Sequence, residues 1–240
     1  MSKNLKIFFG VSYLLILVVF LYFIFTAIET NRLNDFTYYK EVQLDLKNYI
    51  GSNIKINIVY FFIFSIIWVA LLGFGTPILI VSGILFGQWL GTFVSIISIS
   101  FGALTLYVIG NFFFRDLIKR KLEKKFEKYI QLFQKNEFYY FFIYRFVGGL
   151  GIPFGLQNLI PILFGMKKLN YFFSSFLGFI PGFFIFNTIG AGLNSYVEQS
   201  ERFNTLDFIL TPAIYMPILM FVCLMIVSLL IKRKFFDDKN

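Results

Sequence analysis

Residues 73–77, Gly-Phe-Gly-Thr-Pro, and residues 149–153, Gly-Leu-Gly-Ile-Pro, spell nearly the same thing 76 positions apart. Each leads to the same tetrapeptide, Ile84-Leu-Phe-Gly87 and Ile162-Leu-Phe-Gly165, with two extra residues in the second copy. Both copies lie inside long apolar stretches. Proline removes an amide donor and breaks a helical ladder, and flanking glycines permit dihedrals that other residues avoid. Hydrophobic segments interrupted by Gly and Pro at matching positions point to the substrate site of a repeat-built membrane transporter. The competing interpretation is a simple kink in a continuous transmembrane helix.

Working outward, 58% of the 240 residues are hydrophobic and 15% charged, which excludes an ordinary soluble domain. Residues 7–28, 57–114, 169–197 and 208–231 carry no charge at all. About 20 apolar residues suffice to cross a bilayer, so the expectation is an all-α, multi-span integral membrane protein. Residues 7–28 exceed a signal-peptide core and lack a small-residue cleavage site, so they are expected to be a retained span. A single cysteine, Cys223, excludes a disulfide framework, and the absence of histidine removes imidazole catalysis and ligation. No metal, cofactor or catalytic residue is expected. The +9 net charge sits in short clusters beside apolar segments, as for loops facing cytoplasm and anionic lipid. Nucleic acid is not an expected partner.

Charge parity sets the expected topology. With Lys3 and Lys6 inside, residues 29–55 lie outside, and the basic block 115–135 must return inside. The uncharged residues between them then make an odd number of crossings, which two ordinary helices cannot do. The expected solution is a re-entrant hairpin over 57–87 turning at Gly73, Gly75 and Pro77, then a span over 88–114. Residues 138–166 lie between two basic inner segments, so they form a second re-entrant hairpin turning at Gly149, Gly151 and Pro153. Spans follow over 169–192 and 208–231. In domain terms these are an N-terminal span and external loop (1–56), an inverted-repeat core (57–193), and an external loop, last span and basic tail (194–240). Sixteen Lys/Arg fall inside and five outside, with Arg145 in the second hairpin. Both termini are then cytoplasmic, and the two hairpins enter from opposite faces.

The stretch from about Leu72 to Leu193 resembles the DedA superfamily, in particular its VTT-domain (SNARE-associated Golgi protein) branch. The residues that carry the likeness are Phe74 and Pro77, Ser82-Gly83-x-Leu85-Phe86-Gly87, and Gly91. After them come a basic connector, Arg145 behind an aromatic run, Ile152-Pro153-Phe154, Asn158, Gly165, Phe172, Gly178, Pro181 and Gly190. The resemblance implies two opposed re-entrant loops and movement of phosphate-bearing lipids, either phospholipids or polyprenyl phosphates. Three departures stand out. Gly148 replaces the proline that usually follows the arginine, residues 57–87 hold no acid, and the position near Gly151 is not basic. Those departures tell against proton coupling.

Arg145 is the only charge expected within membrane depth, where an ionisable residue is a functional candidate. All thirteen acids fall in loops, so its expected partners are backbone carbonyls, water or a substrate anion, and guanidinium suits phosphate. Snorkelling to the inner headgroups is the alternative. Asn158 and Gln157 are the next candidates, either for a headgroup or for loose backbone at the break. Asn111, Asn187 and Thr188 are read as polar residues holding helices together, and Gly83, Gly87, Gly91, Gly102 and Gly110 as close-packing positions. Ile118, Leu122, Phe126, Ile130 and Phe133 line one face of residues 115–137, expected to be a single interfacial amphipathic helix. The aromatic run 138–146 is expected to be an interfacial belt.

The function expected from these features is leaflet-to-leaflet movement of phosphate-headgroup lipids, flippase- or scramblase-like, in a plasma or inner membrane. The partners would be anionic or phosphate-headgroup lipids, with homo-oligomerisation left open. An ion- or proton-coupled transporter of small solutes and a non-transporting membrane scaffold are the alternatives. No nucleophile–base pair or phosphate-cradling loop points to an enzyme.

Overall fold

The computed structural model describes residues 11–16, 18, 19, 22, 26, 35–72, 74–202 and 204–232, and among these there is no strand. Most of the expected first span, Gly73 of the first break, and the two charged termini lie outside the described residues. Helix α1 (Phe36–Ser52) is followed by α2 (Ile54–Leu72) and the long α3 (Thr76–Leu122). A short 3₁₀ turn (Lys124–Phe126) joins α3 to α4 (Glu127–Lys135) and α5 (Glu137–Phe146). A second 3₁₀ turn (Gly148–Gly151) leads to α6 (Phe154–Leu159), α7 (Pro161–Phe164), α8 (Lys168–Gly178) and α9 (Ile180–Gln199). Helices α10 (Thr205–Leu210) and α11 (Pro212–Lys232) are the last among the described residues.

Both expected hairpins fold back on themselves. Across the first, Phe61 of α2 meets Phe86 of α3 with ring centroids 5.3 Å apart, so the chain turns in the Gly/Pro segment between them. Across the second, Glu137 at the start of α5 accepts from the Lys167 amide and from Asn170, and Arg145 near its end reaches Gln157. Each returning limb is eleven residues long, 76–86 and 154–164, and each ends at a glycine with positive φ. Gly165 is left-handed (φ 65, ψ 34), as a helix C-terminus favours. Gly87 (φ 74, ψ 178) adopts a conformation essentially reserved for glycine and puts a corner into α3. Gly87 therefore sets a change of direction, where close packing was expected.

The limbs are exchanged between the repeats. Limb 76–86 lies on α9, backbone to backbone: a Cβ on Gly83 would stand 2.9 Å from Asn187 Cα, and one on Gly190 would reach 3.0 Å from Gly83 Cα. Limb 154–164 lies on the far end of α3, where Ile162 covers Gly110 and Tyr107 Oη donates to the Met166 carbonyl (2.6 Å). Such contact is possible only between residues with no side chain in the way. Between these crossings α3 and the α8–α9 pair run antiparallel. Trp89 faces Phe184, Phe101 faces Phe172, and Tyr107 stacks on Tyr171 at 4.6 Å. Oppositely directed long helices are what an inverted repeat requires.

Three elements differ from the sequence expectation. The connector over 115–137 is not one helix: 115–122 continue α3, and the turn at Lys124–Phe126 separates them from α4. That break lets Phe133 swing under the second hairpin and stack on Phe164 at 4.3 Å, which a straight continuation of α3 would not reach. The span expected over 169–192 runs on to Gln199 and bends by 47° between Gly178 and Ile180. Pro181, in the first turn of α9, has no amide hydrogen to continue the α8 ladder and so sustains the bend. The aromatic run is not a uniform belt either. Tyr139 and Phe146 are exposed, but Phe141 is fully buried.

Among the described residues, Ile54–Leu71 and Thr76–Leu122 are long and apolar enough to cross a membrane, and the bent α8–α9 pair is a third if counted as one span. Outside this core, α1 clamps onto the end of α9. Gln43 donates to Asn194 Oδ1 (2.8 Å), Lys40 to the Ser200 carbonyl (2.9 Å), and Lys47 pairs with Glu198 (2.5 Å). Helix α11 covers the second break, with Leu224 against Gly148.

Candidate functional site

The second break is built from three glycines with positive φ, Gly148 (76), Gly149 (72) and Gly151 (78), followed by Pro153. Such a segment cannot satisfy its own peptide groups by helical bonding, and at membrane depth another part of the protein must do so. Gln157 does. Its Nε2 donates to the Ile152 carbonyl (2.6 Å) and lies 3.5 Å from that of Gly148. A Cβ on Gly149 would overlap the Gln157 amide, so glycine is needed there for space as well as for conformation.

The other end of the Gln157 amide faces Arg145, whose Nη1 donates to Gln157 Oε1 at 2.9 Å. Arg145 Nη2 donates to Asn158 Oδ1 and to Tyr171 Oη (3.0 Å), and Tyr171 Oη also bonds Asn158 Oδ1 (2.9 Å) and lies 3.2 Å from the Ala103 carbonyl. Arg145 is 3% exposed, so the guanidinium does not snorkel to an interface. Aromatic faces enclose it. Its Cζ lies 4.8 Å from the ring centroids of Phe141 and Phe179, 5.5 Å from Phe154 and 5.8 Å from Tyr171. Within about 6 Å a ring face attracts a cation, more so when water is excluded. These π faces and three neutral oxygens hold the charge, and its hydrogen-bond partners include no carboxylate. The acid on the same hairpin, Glu137, is engaged with the Lys167 amide at the start of α8, where a negative charge is favoured.

Donors outnumber acceptors here. Arg145 Nε, Asn158 Nδ2 and Tyr144 Oη are buried and have no hydrogen-bond partner among the described residues. Buried donors of this kind are costly to leave unmet, so an acceptor arriving among them gains more than it would in water. The two breaks also meet beside this cluster: Gly75 of the first packs against the Phe154 ring, at 3.6 Å from where its Cβ would stand. Of the residues singled out in the sequence, Arg145, Gln157, Asn158, Gly149, Gly151 and Pro153 come together, and Gly75 approaches them from the opposite hairpin, with Pro77 in the first turn of α3. Asn187 lies apart, at the Gly83–Gly91 crossing, with its Nδ2 turned back to the Phe183 carbonyl (2.9 Å).

The stretch that holds both Gly/Pro breaks and the buried arginine is also the stretch that matches a known family. Residues 72–192 match the VTT domain, the domain of the DedA and SNARE-associated Golgi protein family. The chain belongs to that family. Its VTT domain begins at the last residue of α2 and ends within α9, so it contains both breaks, both limbs and the whole Arg145 cluster. No curated protein and no solved structure matches the chain. Sequence reasoning missed Tyr171 and the buried role of Phe141, Phe154 and Phe179. Their only signals were a tyrosine beside the quoted Phe172 and the phenylalanine that follows Pro153.

Proposed function

We propose that this VTT-domain protein moves phosphate-headgroup lipids, phospholipid or polyprenyl phosphate, between the leaflets of a plasma or inner membrane in which both termini are cytoplasmic. On this proposal the two hairpins dip from opposite faces and the four remaining apolar segments cross. The observation that carries it is the Arg145 cluster: a buried cation with neutral partners and spare donors beside the contact between the two breaks. A phosphate entering there meets a guanidinium suited to bidentate bonding, while its tails stay in the bilayer. Leaving the site costs little, because aromatic rings and amides already hold the arginine when no phosphate is present.

The test is reconstitution of the full chain in vesicles carrying a headgroup-labelled anionic phospholipid, with exchange followed by a quencher that cannot cross. Wild-type protein accelerates exchange, and Arg145→Lys, which keeps the charge and loses the planar fork, lowers it strongly. Equal exchange by wild type, Arg145→Lys and Arg145→Ala would remove the proposal's central element.

A further inference from the structure

The corner between α8 and α9 has two faces. On one, Phe179 lies against the Arg145 guanidinium at 4.8 Å and stacks on Phe183 at 4.4 Å. On the other, Ile180 and Pro181 form the floor of an open groove of about 580 Å³, walled by Trp89, Phe93, Ile96, Phe176 and Phe184. That volume lies within the roughly 300–1,000 Å³ typical of small-ligand sites. The hydroxyl of the remaining lining residue, Thr92, already donates a hydrogen bond to the Gln88 carbonyl, one turn back. A headgroup would find almost nothing to bond there. A hydrocarbon tail needs nothing to bond.

Length fits the same occupant. From Trp89 to Ile96 the groove follows α3 for about 10 Å at 1.5 Å per residue, within the ~15 Å depth of one leaflet's hydrocarbon. Its walls open sideways, with Trp89 72% and Phe93 62% exposed, so a tail can enter without leaving the bilayer. We infer that the groove between α3 and the α8–α9 corner is a seat for one acyl chain of a bilayer phospholipid, backed onto the Arg145 cluster through Phe179, Ile180 and Pro181. This deepens the lipid-transport proposal and rests on it for the role of the headgroup. A tail on one side of the corner and a phosphate on the other would be sensed by the same bend.

The experiment uses the full chain in phosphatidylglycerol–phosphatidylethanolamine vesicles doped with a phospholipid carrying a diazirine at mid-chain, with adducts mapped by mass spectrometry. Val59 (53%), Tyr60 (61%) and Ile63 (50%) of α2 are comparably exposed and serve as the bulk-lipid control. Adducts should concentrate on Trp89, Phe93, Ile180 and Phe184 relative to α2. Ile180→Phe, which fills the groove from an exposed position, and Phe184→Ala, which removes a wall, should each reduce groove adducts by about tenfold, equivalent to two methylenes no longer buried. The α2 adducts should not change. Labelling spread evenly over both surfaces would overturn the assignment, as would groove adducts displaced by excess polyprenyl phosphate, which would make the occupant an isoprenoid. Leaflet exchange in the same vesicles separates the two claims. Groove labelling without exchange retires transport alone, and exchange without groove preference retires the groove alone.

Discussion

Replacing neutral Gln157 should cost the fold more than replacing charged Arg145. In Gln157→Met, Arg145 loses its Nη1 acceptor and the Ile152 carbonyl loses its 2.6 Å donor. The first is a charged hydrogen bond worth about 1.5–3 kcal/mol, and the stranded carbonyl adds about 1–3 kcal/mol. The total is about 2.5–6 kcal/mol, with a cation left less well held in a dry site. In Arg145→Met, Gln157 Oε1 loses its donor, while Asn158 Oδ1 retains Tyr171 Oη and the Tyr171 hydroxyl, though no longer accepting from the guanidinium, keeps that bond. Against that loss of about 1–3 kcal/mol stands relief from burying a cation, itself several kcal/mol. The two nearly cancel. At about 2–4 °C per kcal/mol for a chain of this size, Gln157→Met should melt about 5–24 °C below wild type, and Arg145→Met within about 4 °C of it. Thermal unfolding of purified protein in one detergent, followed by the loss of helical circular dichroism, reads both. Lipid exchange should be lost in Arg145→Met despite its intact fold. A melting point lower for Arg145→Met than for Gln157→Met would refute the view that neutral groups and ring faces, not an unseen counter-charge, hold this arginine.

Further expectations concern the frame around the site. Gly165→Asn should be nearly neutral, because its conformation is left-handed and a Cβ there meets nothing within 4 Å, whereas Gly87→Asn should cost about 1–3 kcal/mol from backbone strain alone; paired melting curves decide between them. Gly83→Ala drives a methyl into the α9 backbone at Asn187 and should cost at least the ~1–3 kcal/mol of ordinary overpacking, seen as reduced yield of folded protein by size-exclusion chromatography. Tyr171→Phe removes the hydroxyl shared by Arg145 and Asn158, for an expected loss of about 1–3 kcal/mol and slower exchange; unchanged melting and exchange would place that hydroxyl outside the network. In a Cys223→Ser background, cysteines at Ile58 and at Gln88 should react with an impermeant reagent from the same side of the membrane. Labelling from opposite sides would turn the first hairpin into two crossings.

Much of the frame was legible in the sequence because backbone chemistry is local. Pro77, Gly149, Gly151 and Pro153 announce broken helices by their own dihedral limits, and the chain folds back at both segments. Arg145 is conspicuous as a charge in an apolar stretch, and Asn158 and Gln157 as amides one limb away. The rest depends on distance. Nothing in Tyr171 or Phe179 distinguishes a residue against guanidinium from one against lipid, since the chain contains 36 Phe and 14 Tyr. Gly87 and Gly83 look alike at a spacing of four, yet one turns the chain and the other admits a second backbone. The break at Lys124–Phe126 has no Gly or Pro to mark it, and what it accompanies, Phe133 stacked under Phe164, is a contact across the fold.

The exchange of limbs between the two repeats also dictates an order of assembly. The glycine face of limb 76–86 meets its partners at Asn187 and Gly190, more than a hundred residues later in the chain. At about 5–20 residues per second of synthesis, that limb waits about 5–20 s with its glycine face unclaimed. Neither half is then a free-standing unit, and a ribosome stalled midway would release a fragment obliged to pair with whatever backbone drifts past.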